Sequence, residues 1–205
     1  MKIAIIGTGN VGGALAKRLA DAGHSITLGV RELNTFKGKE LLNYSTSIKA
    51  ASIRQAVSVS EVIIISVPAV AAAETAKSLG DVSGKVIIDT MNGIMAKLTD
   101  YANTTQAILA NVNTLDVVKC FNSTGFENML NPIYNGKGID MFTAGDSEKA
   151  NTIASQLAHD IGFGKVYHFG GLDKVGLLEQ FALCWINLAI IQKQGRDIAF
   201  TVSHR

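Results

Sequence analysis

Short apolar runs alternate with segments of helical periodicity along most of the chain. Lys2–Ile6 reads as a first strand and stops at Gly7. Val11–Ala22 then puts Ala14, Leu15, Leu19 and Ala22 on one face, the spacing of an amphipathic helix, and Gly23 stands where a helix ends. Ser25–Leu28 reads as a second strand. The polar segment Arg31–Tyr44 predicts only a short helix from Lys37, followed by a weak strand at Ser47–Ala50. Ser52 is placed to cap a short helix ending at Val57. Val62–Val67 is rich in β-branched residues, as a strand buried on both faces should be, and Pro68 stops it. Beyond it the pattern predicts helices at Ala69–Leu79, Thr104–Ala110 and Ser147–Ile161, and strands at Val86–Asp89, Val117–Phe121, Ile139–Ala144 and Lys165–Phe169. Asn131-Pro132 reads as a loop, and a last long helix runs from Leu172 to Gln194.

Strands alternating with helices predict an α/β fold: a Rossmann-type, doubly wound, mainly parallel sheet with a small C-terminal helical extension. The ligand crevice of such a sheet lies at the carboxyl ends of its strands. Residues 1–170 are expected to form this doubly wound domain, and 171–205 a helix and tail packing on that domain or on a dimer partner. The last helix is too apolar for an ordinary surface element, and Leu177–Ile191 predicts a homodimer contact. Val175–Ile191 carries Glu179, Gln180 and Asn187 and falls short of the roughly 20 apolar residues of a span, so no membrane association is expected.

Composition narrows the classes further. With 47% hydrophobic residues, 18% charged residues and 2 prolines in 205 positions, the chain is neither disordered nor fibrous. Nineteen basic against 17 acidic residues leave a net charge of +2, which gives no footprint for nucleic acid. Cys120 and Cys184 form no CxxC and have no histidine at ligand spacing. No metal site is expected, and both read as small buried residues in a reducing compartment. The short run at Ile3–Ile6 is no secretory signal, which favours a cytoplasmic protein.

The chemistry concentrates in Gly7-Thr8-Gly9-Asn10-Val11-Gly12, a GxGxxG between a strand and a helix. Gly7 permits a tight turn, Gly9 lets a pyrophosphate approach the backbone, and Gly12 allows close helix–strand packing. The helix N-terminus offers free N–H groups to the phosphates; the competing reading is a tight turn without a ligand. Strand two ends Leu28-Gly29-Val30-Arg31-Glu32, with no carboxylate at the position that holds an NAD ribose. Gly29 leaves room, and Arg31 can pair with a 2′-phosphate, with Lys37 adding charge. Glu32 turned inward would favour NAD instead. The nicotinamide is expected across Ser66-Val67-Pro68 and Asp89-Thr90-Met91-Asn92-Gly93. Asp89 there is either a general base or, more simply, a loop anchor.

No acid–base group announces itself. None of Tyr44, Tyr101, Tyr134 and Tyr167 has a lysine four residues on, and the four histidines are scattered. His24 reads as a capping or surface residue, His159 as solvated and His168 as structural; His204 lies in the tail. Lys119 and Asn122 are the best polar pair near a strand end. Lys119 is a candidate acid or a structural lysine, and Asn122 a candidate for substrate binding. No catalytic residue is assigned.

Taken together, GTGNVG, VRE, IIISVP, IIDTMNG, VVKCFNSTG and GLLEQFALCWINLAI resemble the NADP-dependent oxidoreductase family that includes the coenzyme F420 (8-hydroxy-5-deazaflavin) reductases. The resemblance covers about residues 1–192. It implies a Rossmann domain with a small helical part, commonly dimeric, and hydride transfer between NADP(H) and a deazaflavin or flavin. It also implies that Gly7, Thr8, Gly9, Asn10, Val11 and Gly12 hold the pyrophosphate, that Arg31 reads the 2′-phosphate, and that Val67 and Pro68 pack by the nicotinamide; Asn92 is placed beside that ring by its position past the strand Val86–Asp89 alone. The chain departs from the pattern at Val30, where the deazaflavin reductases tend to have serine, and in a displaced lysine, with Thr35 near its place. The lack of an acid–base group fits transfer between two ring cofactors, where proximity and orientation do most of the work. Two alternatives remain: an NADPH-dependent reductase of a small imine or carbonyl, and a non-enzymatic NADP(H)-binding sensor.

Overall fold

A computed structural model describes residues 1–93, 96, 98 and 100–205. Six strands form one parallel sheet: β1 (Lys2–Ile6), β2 (Ser25–Val30), β3 (Ile48–Ser52), β4 (Val62–Ile65), β5 (Val86–Asp89) and β6 (Val117–Lys119). Their order is β3-β2-β1-β4-β5-β6, the doubly wound arrangement the alternation predicts. Strands β1, β4 and β5 are apolar because both faces are covered. Side chains alternate across them. Ile3, Ile5, Ile64 and Ile88 pack beneath α1 (Asn10–Asp21) and α6 (Glu148–Asp160). Ala4, Ile6, Ile63, Ile65 and Ile87 face α2 (Ile53–Ser58), α3 (Ala72–Ser78) and α4 (Thr104–Leu109). Ser52 caps α2 as expected, within a full capping box with Gln55.

Several boundaries differ from the sequence reading. Strand β2 runs two residues further, to Val30, so Arg31 is the first residue past the sheet. Strands β9 (Met141–Thr143) and β10 (Val166–His168) stay outside the six-stranded sheet; they pair in parallel with each other, and Ala144 bridges antiparallel to Lys119. A short helix, α5 (Phe126–Leu130), follows β6. A small hairpin follows it, formed by β7 (Ile133–Tyr134) and β8 (Lys137–Gly138). The hairpin turn is Asn135-Gly136, both at positive φ. That dipeptide is a strong hairpin signal in the sequence, but flanking strands of two residues each carry no alternation to frame it.

The last helix is composite. A 3₁₀ turn (Leu172–Lys174) leads into α7 (Val175–Ile186), and Asn187–Ile191 is a π-helical turn, so the helix ends short of Gln194. From Leu172 to Ile191 the run reaches 20 residues and is long and apolar enough to cross a membrane, so length does not argue against a span. One face is nonetheless spent on the fold: Val175 and Leu178 join Phe142 and Ala144 of the β9 region, with Phe169, Phe181 and Phe200 around them. Phe181 meets Phe142 edge-on at 4.8 Å between ring centres. The tail then returns over α5. Trp185 Nε1 donates to the Ile198 carbonyl at 2.7 Å, Arg196 pairs with Glu127, and its guanidinium lies over the rings of Phe126 and Trp185.

Candidate functional site

The reversal of strand order lies between β1 and β4, and the glycine loop leaves β1 at that point. Gly7 has φ +101°, and a Cβ there would lie 2.1 Å from the Ser66 carbonyl oxygen, so the turn sits hard against the end of β4. A Cβ on Gly12 would lie 1.9 Å from the Gly7 carbonyl oxygen, which is how α1 comes so close to the loop. At Gly9 the same test meets nothing within 4 Å. The middle glycine thus borders open space while its two neighbours in the motif are packed.

Gly9 also occupies the cap position of α1. No side chain caps the helix, and its first turn has no acidic residue. Its first N–H groups and positive dipole end are therefore left for an anion. Asn10 opens the helix on the exposed side, and Val11 is half-buried. Thr8 Oγ1 donates to the Lys37 carbonyl, which holds the loop after β2 against the glycine turn. A cavity of about 180 Å³ opens there, lined by Thr8, Gly9, Asn10, Lys17 and Lys37, with Phe126 at its edge. A larger groove of about 660 Å³ shares no residue with it; it runs along α6 and takes in His159 and His168.

Arg31 and Glu32 are both exposed just past β2. Gly29 has a different reason from the one expected. A Cβ there would lie 2.3 Å from Ile6 Cδ1 and 3.3 Å from Ala56 Cβ, so this glycine lets α2 approach the sheet rather than making room for a phosphate.

Past β4, Val67 is half-buried and Pro68 exposed. Past β5, Thr90 Oγ1 donates to the Ile65 carbonyl at 3.0 Å and ties the two strand ends together. Asp89 is the loop anchor: one oxygen accepts the Met91 N–H at 2.9 Å, and the other accepts the Thr104 and Thr105 hydroxyls at 2.6 and 2.8 Å. It also pairs with Lys119 Nζ at 2.8 Å. Lys119 is fully buried and donates at 2.7 Å to each of Glu179 Oε1, the Met91 carbonyl and Thr104 Oγ1. It is therefore a structural lysine with its donors spent inside the fold. Glu179, 60 residues away, was the unforeseen partner. Its only trace in the sequence is one carboxylate in the apolar run around α7, and such a residue needs a buried cation.

Asn122 does not touch Lys119; each reaches the loop past β5 separately. Asn122 Nδ2 donates to Asn92 Oδ1 at 2.9 Å, and Asn92 Nδ2 donates to the Asn122 carbonyl at 2.9 Å. Just before it, the fully buried Phe121 has φ +59°, a left-handed conformation unusual for a bulky residue.

The histidines stand apart from this site. His24 is buried rather than at the surface, between the Met1 ammonium at 3.1 Å and Asp160 at 3.0 Å. Burial, reinforced by the Met1 charge, holds its imidazolium pKa below the ordinary value against the pull of Asp160. His159 is exposed, His168 contacts Thr143 Oγ1 at 3.3 Å, and His204 contacts the Tyr167 hydroxyl at 3.2 Å. Cys120 is buried, which raises its thiol pKa, but Cys184 is exposed on α7, contrary to expectation. Among the described residues no group of three or more metal-ligating side chains comes together.

The sheet order and the uncapped glycine loop define a dinucleotide-binding protein of the Rossmann class. Residues 2–93 match the family model described as NADP oxidoreductase, coenzyme F420-dependent. A curated F420-dependent NADP reductase from Methanothermobacter marburgensis is 29% identical over 210 residues, covering 93% of both chains. A crystal structure from Arthrobacter sp. FB24, provisionally described as an F420-dependent NADP reductase, superposes over the full length of both chains with a TM-score of 0.85 at 20% identity. A reductive aminase from Aspergillus terreus shares the fold at 17% identity and a TM-score of 0.67, but this chain spans only 62% of its length. Within the Rossmann class the chain is similar to NADP-dependent oxidoreductases of the family that includes the coenzyme F420 reductases.

Proposed function

We propose that this protein transfers a hydride between NADP(H) and a deazaflavin of the F420 type or a flavin. The observation that carries the reading is the glycine loop at the strand-order reversal, open only at Gly9 and backed by an uncapped helix. Gly7, Thr8, Gly9, Asn10, Val11 and Gly12 would hold the pyrophosphate, and Arg31 the 2′-phosphate. Val67, Pro68 and Asn92 would border the nicotinamide, with Asn122 beside the second ring. A bound NADP(H) supplies or takes up the hydride. The chain's residues position two flat rings and exclude water between them.

The burial of Lys119 supports ring-to-ring transfer over reduction of a small imine or carbonyl. A carbonyl reductase must protonate a developing alkoxide, and the best candidate acid is enclosed by Asp89 and Glu179 with no exposure.

We further propose that residues 1–170 carry the cofactor and that 171–205 complete the protein as a homodimer in the cytoplasm. Support for the dimer is the outer face of the last helix, which leaves Leu177, Ile190 and Ile191 about half exposed. Light scattering at micromolar concentration should give twice the 21.7 kDa chain mass; the monomer mass alone would refute the dimer.

Paired calorimetric titration with NADPH and NADH tests the cofactor reading, followed by NADPH oxidation with F420 and with riboflavin. Preference for NADPH and turnover with either acceptor are expected. Preference for NADH, or binding without turnover on any ring acceptor, would overturn the reading.

A further inference from the structure

The segment past the last helix folds back and binds α5. The Ile198 carbonyl accepts Trp185 Nε1–H of α7 at 2.7 Å and Asn128 Nδ2 of α5 at 2.8 Å, so one main-chain oxygen joins the two helices. Arg196 pairs with Glu127, and its guanidinium stands 5.5 Å from the centre of the Phe126 ring and 5.4 Å from that of Trp185. Farther on, Phe200 packs on Phe181 at 4.8 Å between ring centres, and the Val202 N–H donates to Asp140 at 2.7 Å.

The same short helix borders the glycine loop. Phe126 and Leu130 line the cavity of about 180 Å³ that Gly9, Asn10 and Lys17 line from the side of α1. Met129 between them is fully buried in the core. Helix α5 has only five residues, and no side chain caps its start at Gly125. A helix this short has little stability of its own and stands where tertiary contacts hold it. One wall of the cavity therefore depends on the returning tail.

Charge adds to this dependence. Glu127 is adjacent to Phe126, and its Oε2 is buried without a hydrogen-bond partner. Among the described residues Arg196 is the one cation paired with it. With Arg196 withdrawn, an uncompensated carboxylate would stand next to the loop assigned to the pyrophosphate, where like charge repels.

We propose that residues 196–202 are a positioning strap for the dinucleotide site. Docked, the strap sets the α5 wall and neutralises Glu127; released, it leaves the wall loose and the carboxylate free. This rests on the dinucleotide reading above and adds the regulation of that site. The strap acts through Phe126 and Glu127. Nucleotide binding and strap docking then favour each other, and linkage requires that each strengthen the other by the same factor.

Calorimetry with NADP⁺ compares the full chain with a chain ending at Gly195. The truncation should raise Kd about fivefold or more. Reciprocally, saturating NADP⁺ should slow tryptic cleavage after Arg196 by a similar factor. A tail that only adds stability would change Tm and leave Kd unaltered in the fully folded protein. Arg196→Gln isolates the charge: it should weaken NADP⁺ binding roughly threefold, and adding Glu127→Gln should restore most of that loss. If the truncated chain does not fold, this pair of variants carries the test.

Equal Kd values for the full and truncated chains, or cleavage that NADP⁺ does not slow, would overturn the proposal. So would an Arg196→Gln loss that Glu127→Gln fails to recover. Full-length protein that does not bind NADP⁺ would show instead that the dinucleotide reading is wrong, and the inference would fall with it.

Discussion

Replacing Lys119 by methionine probes the link between the sheet and the last helix. The substitution keeps most of the side chain's volume, so no large cavity opens. It removes the ammonium that lies 2.8 Å from Asp89 and 2.7 Å from Glu179 and leaves two carboxylates fully or almost fully buried without a cation. Breaking a buried pair from one side costs about 3–5 kcal/mol, because the charge left behind stays desolvated. At roughly 2.1 cal/mol/K of unfolding entropy per residue, a chain of this length would lose about 7–12 °C in Tm. Thermal unfolding at pH 7, followed by circular dichroism, measures the shift. Glu179→Gln is the control: it keeps an acceptor oxygen for Lys119 Nζ and leaves Asp89 as counter-ion, so a loss of about 1 kcal/mol is expected. A Lys119→Met protein as stable as the wild type would refute the assignment of this cluster as the tie between β5, β6 and α7. Equal damage from Glu179→Gln would refute the charge argument.

Arg31→Ala should weaken NADPH binding at least about tenfold and leave NADH nearly unchanged, since a guanidinium–phosphate pair is a charge-assisted hydrogen bond; equal losses in calorimetry would refute the role of Arg31. His24 should make stability depend on pH. Its pKa is lowered in the folded protein, so its contribution is complete above the ordinary histidine value of about 6.5 and is lost as pH falls below it. His24→Gln should flatten urea-derived stability between about pH 6.5 and 5; an unchanged slope would refute this. Deleting residues 196–205 removes the Ile198 carbonyl from Trp185 and the Arg196 guanidinium from its ring. With one tryptophan in the chain, a red-shifted emission spectrum should report the exposure; an unshifted spectrum would show that the tail does not cover it.

The glycine spacing was legible because it records local geometry. Gly7 and Gly12 are required by a turn and a close approach within a dozen residues. The place of Arg31 just past β2 was legible for a similar reason, as a residue that follows a recognisable strand. The partner of Lys119 was not, because a contact across 60 residues leaves no periodicity. Nor was the burial of His24, which depends on α6 bringing Asp160 beside the start of the chain.

Hydrophobic alternation by itself determined the six strands of the sheet and most of the helices on it, since burial of apolar faces at periods of 2 and 3.6 is a local code, and the glycine spacing placed the turn after β1. Tertiary structure alone decided what the isolated polar residues do. It enclosed Lys119 between Asp89 and Glu179, turned Gly29 toward α2, and joined the Asn92 and Asn122 side-chain amides across the ends of β5 and β6. The physical reason is that a buried charge or amide is defined by the groups that replace its water, and those groups come from wherever the chain happens to return.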